Sequence, residues 1–138
     1  MHGFILIIVI FFIVWDAAWW LLGVKPLFPW QLKRQLDAGA SDLLLLDVRT
    51  PVEFGWFHLP KARNAPNVLL DDTALPAALP EQPVVVICLT GHRSPLVAYA
   101  LKKRGFKQVY NLTWGMLGWQ FYKVWAGLTE RLQRYLTK

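Results

Sequence analysis

The chain holds one cysteine, Cys88, among 138 residues. A lone thiol closes no internal disulfide, which excludes the stapled secreted scaffolds, and it excludes a cysteine-built zinc site. It fits a free thiol in a reducing compartment. No run of five like charges occurs, although the net charge is +6. The basic balance therefore reads as dispersed surface charge, with anionic lipid heads or small anions as the attracted classes. No nucleic-acid partner, metal or cofactor is expected. Internal repeats and low-complexity tracts are missing too. No Lys or Arg precedes the first apolar run and no clear small-x-small site follows it, which argues against a cleaved signal peptide.

Apolar residues are plentiful, at 55% of the chain. Phe4 to Val24 carries a single charge, Asp16. At helical rise this segment covers about 30 Å, the thickness of a hydrocarbon core. Trp15, Trp19 and Trp20 suit an interfacial belt, whereas a carboxylate near mid-span costs about 2.5–3.5 kcal/mol. The expectation is a retained single-pass anchor over residues 1–24. Lys25, Lys33 and Arg34 follow it, so the positive-inside bias puts the remaining domain in the cytoplasm, at the inner membrane.

Lys25 to Pro29 reads as a linker whose prolines stop the anchor. Trp30–Ala38 reads as a short helix, and Leu43–Val48 as a buried parallel strand. Pro51–Phe54 suggests a helical turn, and Asn67–Leu79 one short helix. Val84–Cys88 is a second strand and Val109–Leu112 a third. Ser94 suits an N-cap and Pro95 a first helical position, which predicts a helix over Pro95–Arg104. Gly115 onward is helical again. This alternation predicts an α/β domain with a mostly parallel sheet flanked by helices, preceded by one N-terminal transmembrane helix. The expected units are 1–24, 25–29, 30–120 and a basic amphipathic helix over 121–138. That tail repeats Phe121, Val124, Trp125, Leu128 and Leu132 at helical spacing. It either closes the domain or, beyond about Leu128, lies on the membrane.

In open α/β sheets the active crevice lies beyond the C-terminal strand ends. Cys88 ends one strand there, Asp47 and Arg49 end another, and Asn111 and Thr113 flank a third. After Cys88 comes Leu89-Thr90-Gly91-His92-Arg93-Ser94. Gly91 permits the torsion that turns consecutive N–H groups inward as an anion nest, and Arg93 adds a planar fork of donors. A thiolate is stabilised in such a cradle. With no second cysteine to resolve it, the expected covalent state is a persulfide or another thio-adduct.

Cys88-Leu89-Thr90-Gly91-His92-Arg93-Ser94 resembles the Cys-x-x-Gly-x-Arg-Ser loop of the rhodanese family of sulfurtransferases. Asp47-Val48-Arg49-Thr50-Pro51-Val52-Glu53-Phe54 with His58-Leu59-Pro60-Lys61-Ala62-Arg63-Asn64 resembles the family's first signature. Gly105-Phe106 through Val109-Tyr110-Asn111-Leu112 to Gly115-Met116-Leu117-Gly118-Trp119 resembles its closing one. Phe57, Lys61 and Trp114 stand where the family has glycines, which puts local loop shape and the pocket rim in question.

The resemblance implies a rhodanese-like fold and a thiosulfate sulfurtransferase-like enzyme. Cys88 would take sulfane sulfur from a small anionic donor and pass it to cyanide or a thiol. Leu89, Thr90, Gly91, His92, Arg93 and Ser94 would bind the substrate. Asp47, Arg49, Glu53 and His58 are expected mainly to support the rim. Related phosphatases place five residues between Cys and Arg; the four here suit a single sulfur atom better than a tetrahedral oxyanion. A second reading remains open: a membrane-tethered relay that hands sulfur to a protein acceptor without independent turnover.

Overall fold

The computed structural model describes residues 2–75 and 79–137. Helix α1 (His2–Leu21) leads into strand β1 (Lys25–Leu27) and helix α2 (Pro29–Asp37). Then follow β2 (Leu44–Asp47), α3 (Pro51–Trp56), β3 (Arg63–Asn64), a 3-10 turn at Asp72–Ala74, β4 (Val84–Ile87), α4 (Ser94–Lys103), β5 (Val109–Leu112) and α5 (Gly115–Leu136). The strands form one parallel sheet in the order β1-β5-β4-β2-β3.

The apolar strands are covered on both faces, as parallel sheets require. Leu44, Leu46, Val84, Val86 and Val109 face Val97, Ala98 and Leu101 of α4. Their neighbours Leu45, Val85, Ile87 and Leu112 face Leu32 of α2 and Met116 and Trp119 of α5. The alternation along each strand thus splits the core into two layers, and every C-terminal strand end meets one rim.

Several boundaries depart from the sequence reading. Lys25–Leu27 is an edge strand on β5, not a linker. Pro26 sits within it, which an edge tolerates because one side of the strand has no ladder to break. β3 is a two-residue pairing on β2 with no sequence signal of its own. The stretch after Asn67 holds a 3-10 turn where a short helix was expected, and its residues 76–78 lie outside the described part. The helix over the tail starts at Gly115 and runs unbroken to Leu136, so position 121 lies inside one continuous element. Beyond its first turns, that helix turns Tyr122, Ala126 and Thr129 partly inward. The stripe of Phe121, Val124, Trp125 and Leu128 faces outward.

Helix α1 is long and apolar enough to cross a membrane, and none of its apolar window is buried. Its second half runs beside α4. Phe12 meets His92 with ring centroids 4.6 Å apart, Trp19 meets Tyr99 at 6.1 Å, and Lys102 donates to the Leu22 carbonyl at 3.4 Å. Each contact joins residues the same distance apart in sequence, so the two helices run parallel.

Candidate active site

The loop from Cys88 to Arg93 leaves the end of β4 and opens into α4. Its path is set by two glycines. Gly91 has φ +86, and a Cβ there would come within 2.7 Å of the Trp114 amide nitrogen. Gly115 has φ +56, and its Cβ would come within 2.5 Å of the Cys88 carbonyl oxygen. The loop is thus wedged against the start of α5. The amides of Met116 and Leu117 donate to the carbonyls of Cys88 and Leu89 at 2.9 and 3.0 Å.

Cys88 is fully buried. Its Sγ accepts from the Gly91 amide at 3.1 Å and from the Ser94 hydroxyl at 3.2 Å. Asn111 Oδ1, 2.5 Å from the same hydroxyl, is the alternative acceptor of its one proton, and Asn111 Nδ2 donates to the Gly91 carbonyl at 3.1 Å. Strand β5 therefore ties together both groups that touch the sulfur. Ser94 does not cap α4: the cap position is Arg93, and the Ser94 side chain turns to the thiol. A serine that hydrogen-bonds a cysteine across the loop outcompetes the local cap that its position suggests.

Arg93 pairs with Glu53 of α3 at 2.6 Å. The guanidinium pulls the Glu53 carboxyl down to about 2, assisted by the Thr50 amide and hydroxyl. Glu53 in turn raises Arg93 above its ordinary value. Thr50 and Glu53 form a reciprocal cap on α3, so a short helix holds the carboxylate that holds Arg93.

Asp47 and Arg49 lie beneath the rim, both fully buried. Arg49 Nη2 donates to Asp47 Oδ2 at 2.7 Å and to the Phe57 carbonyl at 2.6 Å, while Nη1 donates to the Glu53 carbonyl at 3.0 Å. Asn64 Nδ2 donates to the backbone carbonyls of Asp47 and Arg49 at 3.1 and 2.8 Å. This network spans from β2 to β3 and supports the α3 segment. It does not touch the sulfur. Thr90 is exposed and Leu89 partly so. His92 Nδ1 lies 3.2 Å from Thr90 Oγ1, with Phe12 against its ring. His58 packs on Phe54, away from Cys88, with its Nδ1 3.0 Å from the Phe54 carbonyl.

Asn111 was underweighted by the sequence. The available signal was a carboxamide inside an otherwise apolar strand, Val109-Tyr110-Asn111-Leu112. Lys61 and Trp114 are the non-glycine residues at positive φ among the described residues, at 66 and 63 degrees. Both stand at glycine positions of the family signature. The left-handed turns persist there despite their Cβ atoms, at roughly 1–2 kcal/mol each. Phe57 needs no such turn, since its backbone is extended.

The chain matches the Rhodanese-like domain family over residues 29–121. It belongs to that family. The thiosulfate sulfurtransferase GlpE of Stutzerimonas stutzeri is 33% identical over 96 residues, covering 70% of this chain and 84% of the relative. A probable adenylyltransferase/sulfurtransferase, MoeZ of Mycobacterium tuberculosis, is 37% identical over 92 residues. That match covers 66% of this chain and 23% of MoeZ, so the chain spans under a quarter of that relative. Among solved structures, the rhodanese-like domain of the Anabaena protein Alr3790 superposes with a TM-score of 0.64 at 22% identity, covering 71% of this chain and 74% of that one. Both of these curated relatives are named as sulfurtransferases.

Proposed function

We propose that the protein is a membrane-tethered thiosulfate sulfurtransferase-like enzyme that carries sulfur on Cys88. The observation that carries this reading is the pair of donors, Gly91 N–H and Ser94 O–H, aimed at one buried sulfur. Both favour an anionic sulfur there.

The Cys88 thiolate attacks the outer sulfur of thiosulfate. A sulfur–sulfur bond forms to Cys88, the bond to the sulfonate breaks, and its electron pair leaves with sulfite. The product is a Cys88 persulfide anion, whose outer sulfur is received by the loop N–H groups of Leu89 to Arg93. Cyanide or a thiolate then attacks that outer sulfur. Cys88 leaves as thiolate, and thiocyanate or a new persulfide departs. No external oxidant or reductant is needed. Arg93 draws the dianionic donor toward the loop while Glu53 fixes its fork, and His92 and Thr90 line the approach. Asp47 and Arg49 act as supports.

Residues 1–24 serve as the tether and the sheet domain from Lys25 to about position 120 as the catalytic unit, with the rest of α5 as its basic extension. Lys25, Lys33 and Arg34 favour a domain on the cytoplasmic face of the inner membrane. Thiocyanate formation from thiosulfate and cyanide tests the enzyme reading. It should be abolished in Cys88→Ser. Transfer seen only with a protein acceptor would replace turnover by relay.

A further inference from the structure

The direction of α1 carries a consequence for where the catalytic loop sits. Because α1 runs parallel to α4 and Phe12 is level with His92, the helix passes the rim at its own midpoint. Among the described residues of α1, His2–Phe11 project beyond the catalytic loop. Ten residues at 1.5 Å each reach about 15 Å, half of a hydrocarbon core of about 30 Å. The remainder of α1 lies beside the domain, where Trp19 joins the core cluster. A full span would require α1 to leave α4 and break the contacts of Phe12, Trp19 and Leu22. Asp16 fits the docked arrangement, since it lines a cavity beside the domain with Trp19, Phe28 and Trp114.

The rim carries a second feature. Phe28, Trp30 and Trp114 follow the ends of β1 and β5 and contact one another, with centroids 4.6 to 5.9 Å apart. Trp30 is 40% exposed and Trp114 is 52% exposed. Exposed indoles beside an emerging apolar helix match the composition of a membrane interface.

We infer that α1 enters one leaflet only, and that the catalytic rim rests against the headgroups of that leaflet. The partner of this face is the lipid surface itself. The inference rests on the tether reading above. It does not depend on sulfur chemistry.

Single-cysteine variants of the full chain in the Cys88→Ser background test it. Thr90→Cys and Leu96→Cys report the rim, and Glu81→Cys reports the opposite end of the sheet. Gly3→Cys reports the tip of α1, where a side chain meets open space. Each is labelled with a small fluorophore and bound to phosphatidylcholine–phosphatidylglycerol vesicles carrying headgroup-level or chain-level quenchers. Headgroup quenchers should extinguish positions 90 and 96 and spare 81. Chain-level quenchers should extinguish position 3, and an impermeant maleimide should reach the unlabelled Gly3→Cys from neither side. Labelling of position 3 from the far side, or equal quenching at 90 and 81, overturns the inference. So does a chain that never binds the vesicles, which also removes the tether. Sulfur uptake by the wild-type chain is measured separately, so loss of one reading leaves the other standing.

Discussion

The Ser94 hydroxyl has one proton and two acceptors within reach, Cys88 Sγ at 3.2 Å and Asn111 Oδ1 at 2.5 Å. With a neutral thiol, the shorter bond to Asn111 can hold that proton. An anionic sulfur competes for it, because charge strengthens the bond. Ser94→Ala removes one of the two donors on the sulfur. A hydrogen bond to a charged group is worth about 1.5–3 kcal/mol, so sulfur uptake should slow by about ten- to hundredfold with folding intact. Stopped-flow consumption of thiosulfate by the stoichiometric enzyme checks it.

Glu53 offers a second test at this scale. Its carboxyl titrates at about 2 when folded, against an ordinary 4.5. A depressed carboxyl stabilises the fold fully above the ordinary value, and that contribution is lost as pH falls from 4.5 through 2. Denaturant melts of wild type and Glu53→Gln should therefore converge as pH is lowered across that window, and the gap should be constant above it. Arg49 is different in kind, being fully buried against Asp47. Arg49→Leu strands a buried carboxylate and should destabilise the domain by about 3–5 kcal/mol, read by urea melts.

At the scale of elements, the tight turn of the Cys88–Arg93 loop was legible because its geometry depends on residue types that few other settings require. Gly91 and Gly115 stand where a Cβ would strike backbone. The Leu43–Val48 and Val84–Cys88 runs read as buried strands because continuous apolar segments of that length suit a sheet covered on both faces. β1 was illegible for the opposite reason. Three residues that include Pro26 have no intrinsic strand signature, and their pairing comes wholly from β5. Ser94 misled as a cap because a serine before Pro95 fits that role locally, while Cys88 reaches it only through the fold. The α1–α4 packing left no trace in sequence either, since Phe12 and His92 belong to segments far apart. The apolar face of α5 makes a testable contrast. Val124 and Leu128 recur at core spacing yet are more than half exposed or nearly so, at 63% and 50%. Val124→Ser with Leu128→Ser should therefore shift domain stability by no more than about 0.5 kcal/mol per site, as surface changes do.

For the whole molecule, α1 and α5 point their apolar overhangs to opposite ends. α1 projects past the catalytic rim, whereas α5 starts at that rim and runs away from it. A flat membrane that receives the first does not also receive the second. In the proposed docking, Cys88 lies toward the lipid face and the basic end of α5 is directed away from it. Packing α1 along α4 fixes the direction of its apolar N-terminal half relative to the Cys88 loop.

The central claim is that Cys88 carries transferable sulfur, and intact-protein mass spectrometry after thiosulfate treatment tests it most directly. The wild-type chain should gain the mass of one sulfur atom, mapped to the Cys88 peptide, and lose it on addition of cyanide. Cys88→Ser should gain nothing. An unchanged wild-type mass after treatment with several sulfane donors, or an adduct that cyanide fails to remove, would contradict the account.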